Sequence, residues 1–101
     1  MEKQTVLAAL AALAQETRLD VFRLLVRGGA EGLPAGAIAT ALDVPSATLS
    51  FHLKELRSAG LIECERDGRS RIYRPDFGAA NALVGFLSEN CCQGVARGKR
   101  S

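Results

Sequence analysis

The clearest alternation of apolar and polar positions lies between residues 46 and 60. Three leucines follow the i, i+4, i+7 spacing that places side chains on one face of a helix: Leu49, Leu53 and Leu56. Pro45 disfavours helix before this stretch, the hydroxyl of Ser46 can cap a helix start, and Gly60 can end the helix in a left-handed conformation. The pattern therefore predicts an amphipathic helix that begins at Ser46 and ends before Gly60.

A shorter apolar stripe precedes this helix. Its members are Ala37, Ile38, Ala41 and Leu42. The segment Asp43-Val44-Pro45 between the two patterns leaves room for a turn of about three or four residues. Two amphipathic helices joined by so short a turn predict a helix-turn-helix over residues 35–59.

A small charged hairpin is predicted directly after the second helix. The runs Leu61 to Arg66 and Arg71 to Arg74 are strand-like, and Asp67-Gly68 between them supplies the positive φ that a hairpin turn needs. Four arginines load this hairpin with positive charge: Arg66, Arg69, Arg71 and Arg74. A helix-turn-helix followed by a basic hairpin, over residues 61–74, predicts a winged helix-turn-helix that binds DNA.

Amphipathic helices are also predicted on both sides of this unit. Thr5 to Ala14 forms a first helix, a second follows the interruption at Gln15 to Arg18 and ends before Gly28-Gly29, and Gly28 to Pro34 forms a loop. The apolar positions of these two helices are Val6, Leu7, Leu10 and Leu13, then Leu19, Phe22, Leu25 and Val26.

A last helix is predicted from Pro75-Asp76 to about Asn90, within a segment of residues 76–92 that we interpret as a dimerisation and sensor helix. Its apolar positions are Phe77, Ala80, Leu83, Val84 and Leu87. The first and last helices can pad the monomer core or form a dimer interface, and DNA reading favours the dimer because two recognition helices multiply specificity. Gly94 to Ser101 is predicted to be frayed.

Composition narrows the class of protein. A chain of 101 residues with 48% hydrophobic content is expected to be one domain. The elements predicted above make its fold mainly α with a small β-hairpin. We therefore expect a winged helix-turn-helix that dimerises through its first and last helices. The net charge of +2 is small, so a case for nucleic acid depends on local clusters. The absence of a long apolar run or an export signal predicts a cytoplasmic protein without a membrane partner. A lone histidine and few catalytic groups argue against an enzyme.

Candidate DNA contacts lie off the leucine stripe and on the hairpin. Short hydroxyl side chains suit base edges or phosphates, an aromatic ring can lie against a thymine methyl, and cationic side chains suit phosphates. The candidates are Ser46, Ala47, Thr48, Ser50, Phe51, His52, Lys54 and Arg57 on the helix, with Arg66, Arg69 and Arg71 on the hairpin. For His52, a phosphate contact and a solvated or capping role both stay open.

Three cysteines complete the candidate chemistry. Cys91 and Cys92 are adjacent at the end of the last helix. A disulfide between them would be strained, because neighbouring Cα atoms are about 3.8 Å apart, which is closer than in an unstrained disulfide. We therefore predict a free dithiol that can chelate a soft, thiophilic ion, although two incidental small residues at a helix end are an alternative. Cys64 shares a strand face with Ile62 and is expected to pack inward, with ligation as a lesser alternative.

The residues from Thr17 to Asn90 resemble those of ArsR-type metalloregulatory repressors. The matching motifs are Thr17-Arg18-Leu19, Leu49-Ser50-Phe51-His52-Leu53, Leu56, Ala59-Gly60-Leu61-Ile62 and Arg66-Asp67-Gly68-Arg69. The resemblance implies a homodimeric winged-helix repressor that binds operator DNA without a ligand and releases it when an inducer binds. Ser50 and His52 match the family motif, whereas Ser46 stands where members often have glutamine, so base contacts do not carry over.

The resemblance also suggests an inducer. The helix-turn-helix lacks the Cys-x-Cys motif of many arsenic sensors, and Glu89 to Cys92 instead resembles a branch with its arsenic site at the C-terminal helix. That branch adds a third cysteine several residues later, which is absent here. Arsenite usually takes three sulfur ligands, so Cys64, a small thiol or hydroxide would complete its site, whereas methylarsenite needs only two. We hypothesise that trivalent arsenic, as arsenite or methylarsenite, with antimonite as a further candidate, binds Cys91 and Cys92.

Two other hypotheses stay open at this point. In the first, the same DNA-binding protein uses Cys91 and Cys92 as an oxidation sensor, which requires accessible thiols of low pKa. The second is a winged-helix module that binds proteins and has no role at DNA. A gel-shift experiment in which affinity showed no dependence on salt would support this hypothesis.

Overall fold

The structure, a computed structural model, describes residues 1–95 and contains five α-helices and a three-stranded sheet. The helices are α1 (Lys3–Leu13), α2 (Glu16–Gly28), α3 (Ala35–Leu42), α4 (Ser46–Ser58) and α5 (Phe77–Ser88). The strands are β1 (Leu33–Pro34), β2 (Ile62–Asp67) and β3 (Ser70–Pro75), and a 3₁₀ turn spans Gly29–Glu31. Most of the predicted frayed end, residues 96–101, lies outside the described residues.

The helix-turn-helix is formed by α3 and α4, as predicted. The intervening turn begins at Asp43, which adopts a left-handed conformation with φ of 54°, and the N–H of Val44 donates to the Ala39 carbonyl at 3.0 Å. The predicted cap at Ser46 is wrong: Pro45 occupies the N-cap position, where its carbonyl accepts the N–H of Leu49 at 2.9 Å and no side chain caps the helix.

The end of α4 agrees with the prediction. Gly60 has φ of 77°, its N–H donates to the Arg57 carbonyl at 2.9 Å, and the N–H of Leu61 donates to the Leu56 carbonyl at 3.1 Å. This pair of bonds is a Schellman motif, which satisfies carbonyl groups that the last helical turn leaves free. It also turns the chain into β2.

The wing is an antiparallel hairpin of β2 and β3, and Asp67 pairs with Ser70 at its tip. The two loop residues are therefore Gly68 and Arg69, of which Gly68 has a positive φ of 65°. A positive φ at the first central position is typical of a type II′ turn, which matches the twist of the strands.

A third strand was missed by the sequence analysis. The segment Gly28 to Pro34 was predicted as a loop, but its end forms β1, in which Leu33 pairs with Tyr73 and Pro34 with Ile72 of β3. The sheet order is β1-β3-β2. A two-residue strand is too short to show the alternation from which strands are predicted, so its pairing is visible only in the fold.

The core lies where α2, α3, α4 and the base of the wing meet. Its most deeply buried members are Val21, Leu25, Ile38, Leu49, Leu56 and Leu61. The leucine stripe of α4 is thus confirmed as the face that packs inward, and the opposite face of α4 is left for solvent or a ligand. Within residues 1–95, no helix combines the length and apolar character needed to cross a membrane.

Replacing Leu56 by alanine should strongly destabilise this core. Leu56 is 0% exposed, and truncating a fully buried leucine removes its transfer energy and leaves a cavity, a loss of about 2–5 kcal/mol. Urea unfolding would show a lower midpoint with an unchanged slope. Leu19→Ala is the control, because Leu19 is 42% exposed; equal effects of the two substitutions would contradict the assignment of the core.

Candidate nucleic-acid interface and thiol site

The exposed side of α4 carries most of the predicted DNA contacts. Seven of the eight candidates on this helix are solvent-exposed in the structure: Ser46, Ala47, Thr48, Ser50, Phe51, Lys54 and Arg57. Phe51 is 55% exposed, which is unusual for a phenylalanine. Hydroxyl, aromatic and cationic groups on one open helical surface provide the means to contact base edges, thymine methyls and phosphates.

His52 departs from the other candidates. From the sequence, a phosphate contact and a solvated or capping role are both open for His52, but its side chain is 8% exposed and lies on the inner side of α4. Its Nδ1 lies 3.3 Å from Nη1 of Arg18, and its ring meets that of Phe51 edge-on, with centroids 5.5 Å apart. Because it faces the protein interior, His52 is removed from the set of candidate DNA contacts.

The register of the wing places Arg66 and Arg71 on one face and the acidic residues of β2, with Arg74, on the other. Ile62 and Cys64 pair with Pro75 and Tyr73 on the face that packs on the core, and Arg66 pairs with Arg71 further out on that same face. The opposite face carries the acidic residues of β2: Glu63, Glu65 and Asp67. Facing arginines repel each other, so a phosphate between them would relieve that repulsion.

Arg74, which the sequence analysis grouped with the other hairpin arginines, has a structural contact instead. Its Nε donates to the carbonyl of Ala30 at 3.0 Å, and its Nη2 lies 3.5 Å from Oε1 of Glu65. This arginine fastens the base of the wing to the 3₁₀ turn. Arg66, Arg69 and Arg71 are exposed towards the tip of the wing.

A groove of about 450 Å³ separates the end of α4 from β2. Its lining residues are Lys54, Arg57, Ser58, Ile62, Glu63 and Cys64. Cys64 is a half-buried free thiol that packs on the core, as predicted, opposite the buried Tyr73. Burial raises the pKa of Tyr73 above its ordinary value of 10.0, and the adjoining Cys64 raises this pKa further.

Cys91 and Cys92 lie in an exposed turn just beyond α5, which ends at Ser88 and not at the predicted Asn90. Their sulfur atoms lie in direct contact with each other, and the free dithiol stays a prediction. Asn90 and Cys92 have positive φ values of 62° and 70° in this turn. Two sulfur donors are therefore adjacent and accessible.

Cys64 is not brought to this pair. In the described part of the chain, no three histidine, cysteine, aspartate or glutamate side chains are grouped so that they could hold a metal ion. The lesser alternative, in which Cys64 of the same protomer completes the site, has no support from the arrangement of residues 1–95.

The buried leucine stripe of α4, the exposed face of the same helix and the basic two-stranded wing define a winged helix-turn-helix. Proteins of this class read double-stranded DNA with the second helix of the helix-turn-helix, which is α4 here. Residues 13–65 match the family model described as a helix-turn-helix domain. The chain belongs to the ArsR family of winged helix-turn-helix transcriptional regulators, because the family model matches more than half of it and solved ArsR-like regulators share its fold.

Three relatives illustrate the similarity. A solved homodimeric winged helix-turn-helix DNA-binding domain from Mycobacterium bovis, a possible ArsR-family regulator, is 30% identical, with a TM-score of 0.71 over 84% of this chain and 83% of that chain. The uncharacterised HTH-type regulator YdfF of Bacillus subtilis is 45% identical over 54% of this chain and 24% of its own. A Halobacterium salinarum protein, whose name proposes it as the arsenical resistance operon repressor ArsR, is 37% identical over 74% of this chain and 57% of its own.

The chain thus spans about a quarter of YdfF and somewhat more than half of the Halobacterium protein. These relatives show the family and its DNA-binding architecture. Inducer, operator and assembly require separate arguments.

Proposed function

We propose that this protein is an arsenic-responsive transcriptional repressor. It binds operator DNA as a homodimer and leaves the operator when trivalent arsenic binds the reduced sulfur atoms of Cys91 and Cys92. The observation that carries this proposal is the pair of adjacent, exposed sulfur atoms in the turn directly after α5. Arsenite and methylarsenite are the expected inducers, and antimonite shares their affinity for thiolates. The Halobacterium relative, named for arsenical resistance, supports the choice of metalloid.

The DNA-binding half of the proposal uses the open face of α4 and the tip of the wing. In this proposal, Ser46, Ala47, Thr48, Ser50 and Phe51 read bases in the major groove. Phosphate contacts come from the cationic residues Lys54, Arg57, Arg66, Arg69 and Arg71. Because one short helix reads only a few base pairs, two copies about 34 Å apart would be needed for a specific operator.

The dimer would form through α1 and α5, which pack against each other in the protomer. Both helices expose large apolar side chains: Leu7 is 51%, Leu10 is 38%, Val84 is 65% and Leu87 is 61% exposed. Exposed leucines and valines grouped on two neighbouring helices are typical of a surface that a partner covers. The relative from Mycobacterium bovis, a homodimer, supports a second copy as that partner.

Arsenic binds this site when Cys91 and Cys92 are both thiols. Arsenite, As(OH)₃, then reacts with both thiols, forming two As–S bonds and releasing two water molecules, with one hydroxide left on arsenic. Methylarsenite, CH₃As(OH)₂, loses both hydroxides as water in the same exchange and keeps its methyl group. Two sulfur atoms therefore satisfy methylarsenite fully, whereas arsenite keeps one exchangeable position. Soft thiolate ligands favour such thiophilic centres over zinc, which usually takes four protein ligands.

Release from DNA would follow from the position of this turn at the end of a dimer helix. A ligand shifts an equilibrium only by its different affinity for the two states, and such coupling is about 1–3 kcal/mol in typical cases. A chelate ring over Cys91 and Cys92 would fix the end of α5 and change how α5 meets the partner subunit. The distance between the two α4 helices would change with it.

Operator binding titrated with a series of inducers tests this function. The reduced protein is mixed with a duplex that it has selected from a random-sequence pool, and arsenite, methylarsenite, antimonite, zinc or peroxide is added. The proposal predicts release by the arsenicals and not by zinc. Release by zinc alone, or by none of the five, would reject the arsenic proposal.

The direct contact between the two sulfur atoms supports a second candidate, a thiol-redox-responsive repressor. Here peroxide takes two electrons from the two thiols, and one disulfide and two water molecules form. The same titration separates the two candidates, because an oxidation sensor leaves the operator with peroxide in the absence of arsenic, and a reductant restores binding.

Arg57→Ala should weaken binding to every DNA sequence by a similar factor. Arg57 is exposed at the end of α4, and a lost phosphate contact should lower the slope of log affinity against log salt by about one. Fluorescence anisotropy at several salt concentrations measures this slope. Arg27→Ala removes an exposed arginine of α2 outside the predicted interface and should leave the slope unchanged; an unchanged slope for Arg57→Ala would remove Arg57 from the interface.

A further inference from the structure

The guanidinium group of Arg18 joins three helices behind α4. Its Nε donates to the carbonyl of Ala12 in the last turn of α1 at 2.7 Å, and its Nη1 lies 3.3 Å from Nδ1 of His52 on α4. Arg18 itself belongs to the first turn of α2, where its backbone N–H donates to Oε1 of Gln15 at 2.9 Å. One side chain therefore holds α4 to the junction of α1 and α2.

This arrangement requires a neutral His52. A guanidinium group has only donors, so Nδ1 of His52 has to accept the hydrogen bond from Arg18 and cannot carry a proton. Burial lowers the pKa of His52 below 6.5, the positive charge of Arg18 lowers it further, and the opposing effect of Glu55 is smaller. The group of α1 that contacts Arg18 is the Ala12 carbonyl. The charged residue Lys3 lies at the opposite end of α1, and α3 carries no charged side chain.

We propose that Arg18 and His52 are positioning residues for DNA recognition, whose hydrogen bond sets the orientation of α4 and is broken when His52 becomes protonated. The inference rests on the proposed binding of operator DNA by α4. It explains why a titratable residue lies on the inner side of the reading helix. It also gives α1, the proposed dimer helix, a direct physical connection to α4.

The sign of the pH effect distinguishes this role from a DNA contact. A histidine that touched phosphate would gain positive charge in acid and bind DNA more tightly. A histidine that accepts from Arg18 loses that bond in acid, so operator affinity should fall. Since the folded pKa lies below the unfolded value of 6.5, this stabilisation is complete above pH 6.5 and is lost as the pH falls through the folded pKa.

Three chains are compared: the wild type, His52→Asn and His52→Leu. The Oδ1 of asparagine lies near the place of Nδ1 and accepts a hydrogen bond at any pH, whereas leucine fills the space without an acceptor. Operator affinity is measured by fluorescence anisotropy between about pH 5 and pH 8, with a duplex selected by the wild-type chain. Salt titrations accompany each series, and Arg57→Ala serves as the reference for a lost phosphate contact.

The wild type should lose about tenfold in affinity in acid, which is the value of one hydrogen bond to a charged donor. His52→Asn should bind as the wild type does at pH 8 without this pH dependence, and His52→Leu should be about tenfold weaker at every pH. The salt slope should equal that of the wild type in both variants. Should His52→Leu fail to fold, His52→Asn alone decides.

Three results would overturn the proposal: a wild-type pH profile in His52→Asn, tighter binding of the wild type in acid, or a salt slope reduced by about one in either variant. A wild type that binds the selected duplex with normal salt dependence but with no pH dependence rejects the positioning role and keeps the DNA-binding function. A wild type that binds no duplex rejects both.

Discussion

Replacing Val84 and Leu87 together by aspartate is expected to convert the protein into a monomer and to weaken operator binding about 10²- to 10⁴-fold. Both side chains project from α5 and are more than half exposed, so the charges would not enter the protomer core. In the proposed dimer they would face the apolar surface of the partner, where an unpaired carboxylate is costly. The loss in affinity follows because two half-sites bound by one dimer act together, whereas a monomer binds one. Sedimentation and anisotropy on the same samples measure both effects.

Leu19→Asp with Val26→Asp is the matched control. These two residues are also exposed, at 42% each, but they lie on α2 outside the proposed interface. This variant should stay dimeric and bind DNA as the wild type does. A dimeric Val84→Asp, Leu87→Asp protein with full operator affinity would show that the interface lies elsewhere.

Cys91→Ser with Cys92→Ser should abolish release by arsenicals and leave operator binding unchanged. The reduced wild type is expected to lose about 5- to 150-fold in affinity when methylarsenite or arsenite is bound, which is the usual range of such coupling. Serine keeps the size of the side chain but offers a hard oxygen in place of a soft thiolate. Because the turn is exposed and lies outside α4 and the wing, DNA binding has no reason to change.

Cys64→Ser separates the pair from the remaining thiol. Cys64 lines the groove beside α4 and is not grouped with the other cysteines in the described residues. Methylarsenite should still release this variant from the operator as it does the wild type. Continued release of the Cys91→Ser, Cys92→Ser protein by arsenicals would eliminate the proposed site.

The helical part of the fold was predictable because its signal is periodic. Leu49, Leu53 and Leu56 repeat at the spacing of a helical face, and this spacing alone predicts the helix and its buried side. Gly60 and Gly68 marked the turns through backbone conformations that few other residues adopt. The strand β1 had no comparable signal, since two residues show no alternation.

The apolar positions of α1 illustrate a different limit. The sequence left open whether Val6, Leu7 and Leu10 face the core or a dimer interface. In the structure Val6, Ala9 and Ala12 face the core, whereas the two leucines are exposed. A sequence in which almost every position is alanine, valine or leucine has no polar face by which to orient the helix. Packing against α2 and α4 decides the orientation, and this information is not local.

In the candidate DNA interface, too, local features were predictable from the sequence and long-range contacts were not. The exposed residues of α4 were predictable as the positions that do not belong to the leucine stripe. The position of His52 was not predictable, because histidine occurs both on surfaces and in interiors. Its partner Arg18 lies 34 positions away in the sequence, and Arg74 and its partner Ala30 lie 44 positions apart. Only the three-dimensional structure brings these groups together.

In the proposed function, arsenic on Cys91 and Cys92 releases the dimer from its operator. The most direct test measures bound arsenic per protomer and DNA anisotropy in one titration of the reduced protein with methylarsenite. We expect release to rise in proportion to bound arsenic and to be complete when each protomer holds a single arsenic. Arsenic bound to that level while the operator stays fully occupied would contradict it.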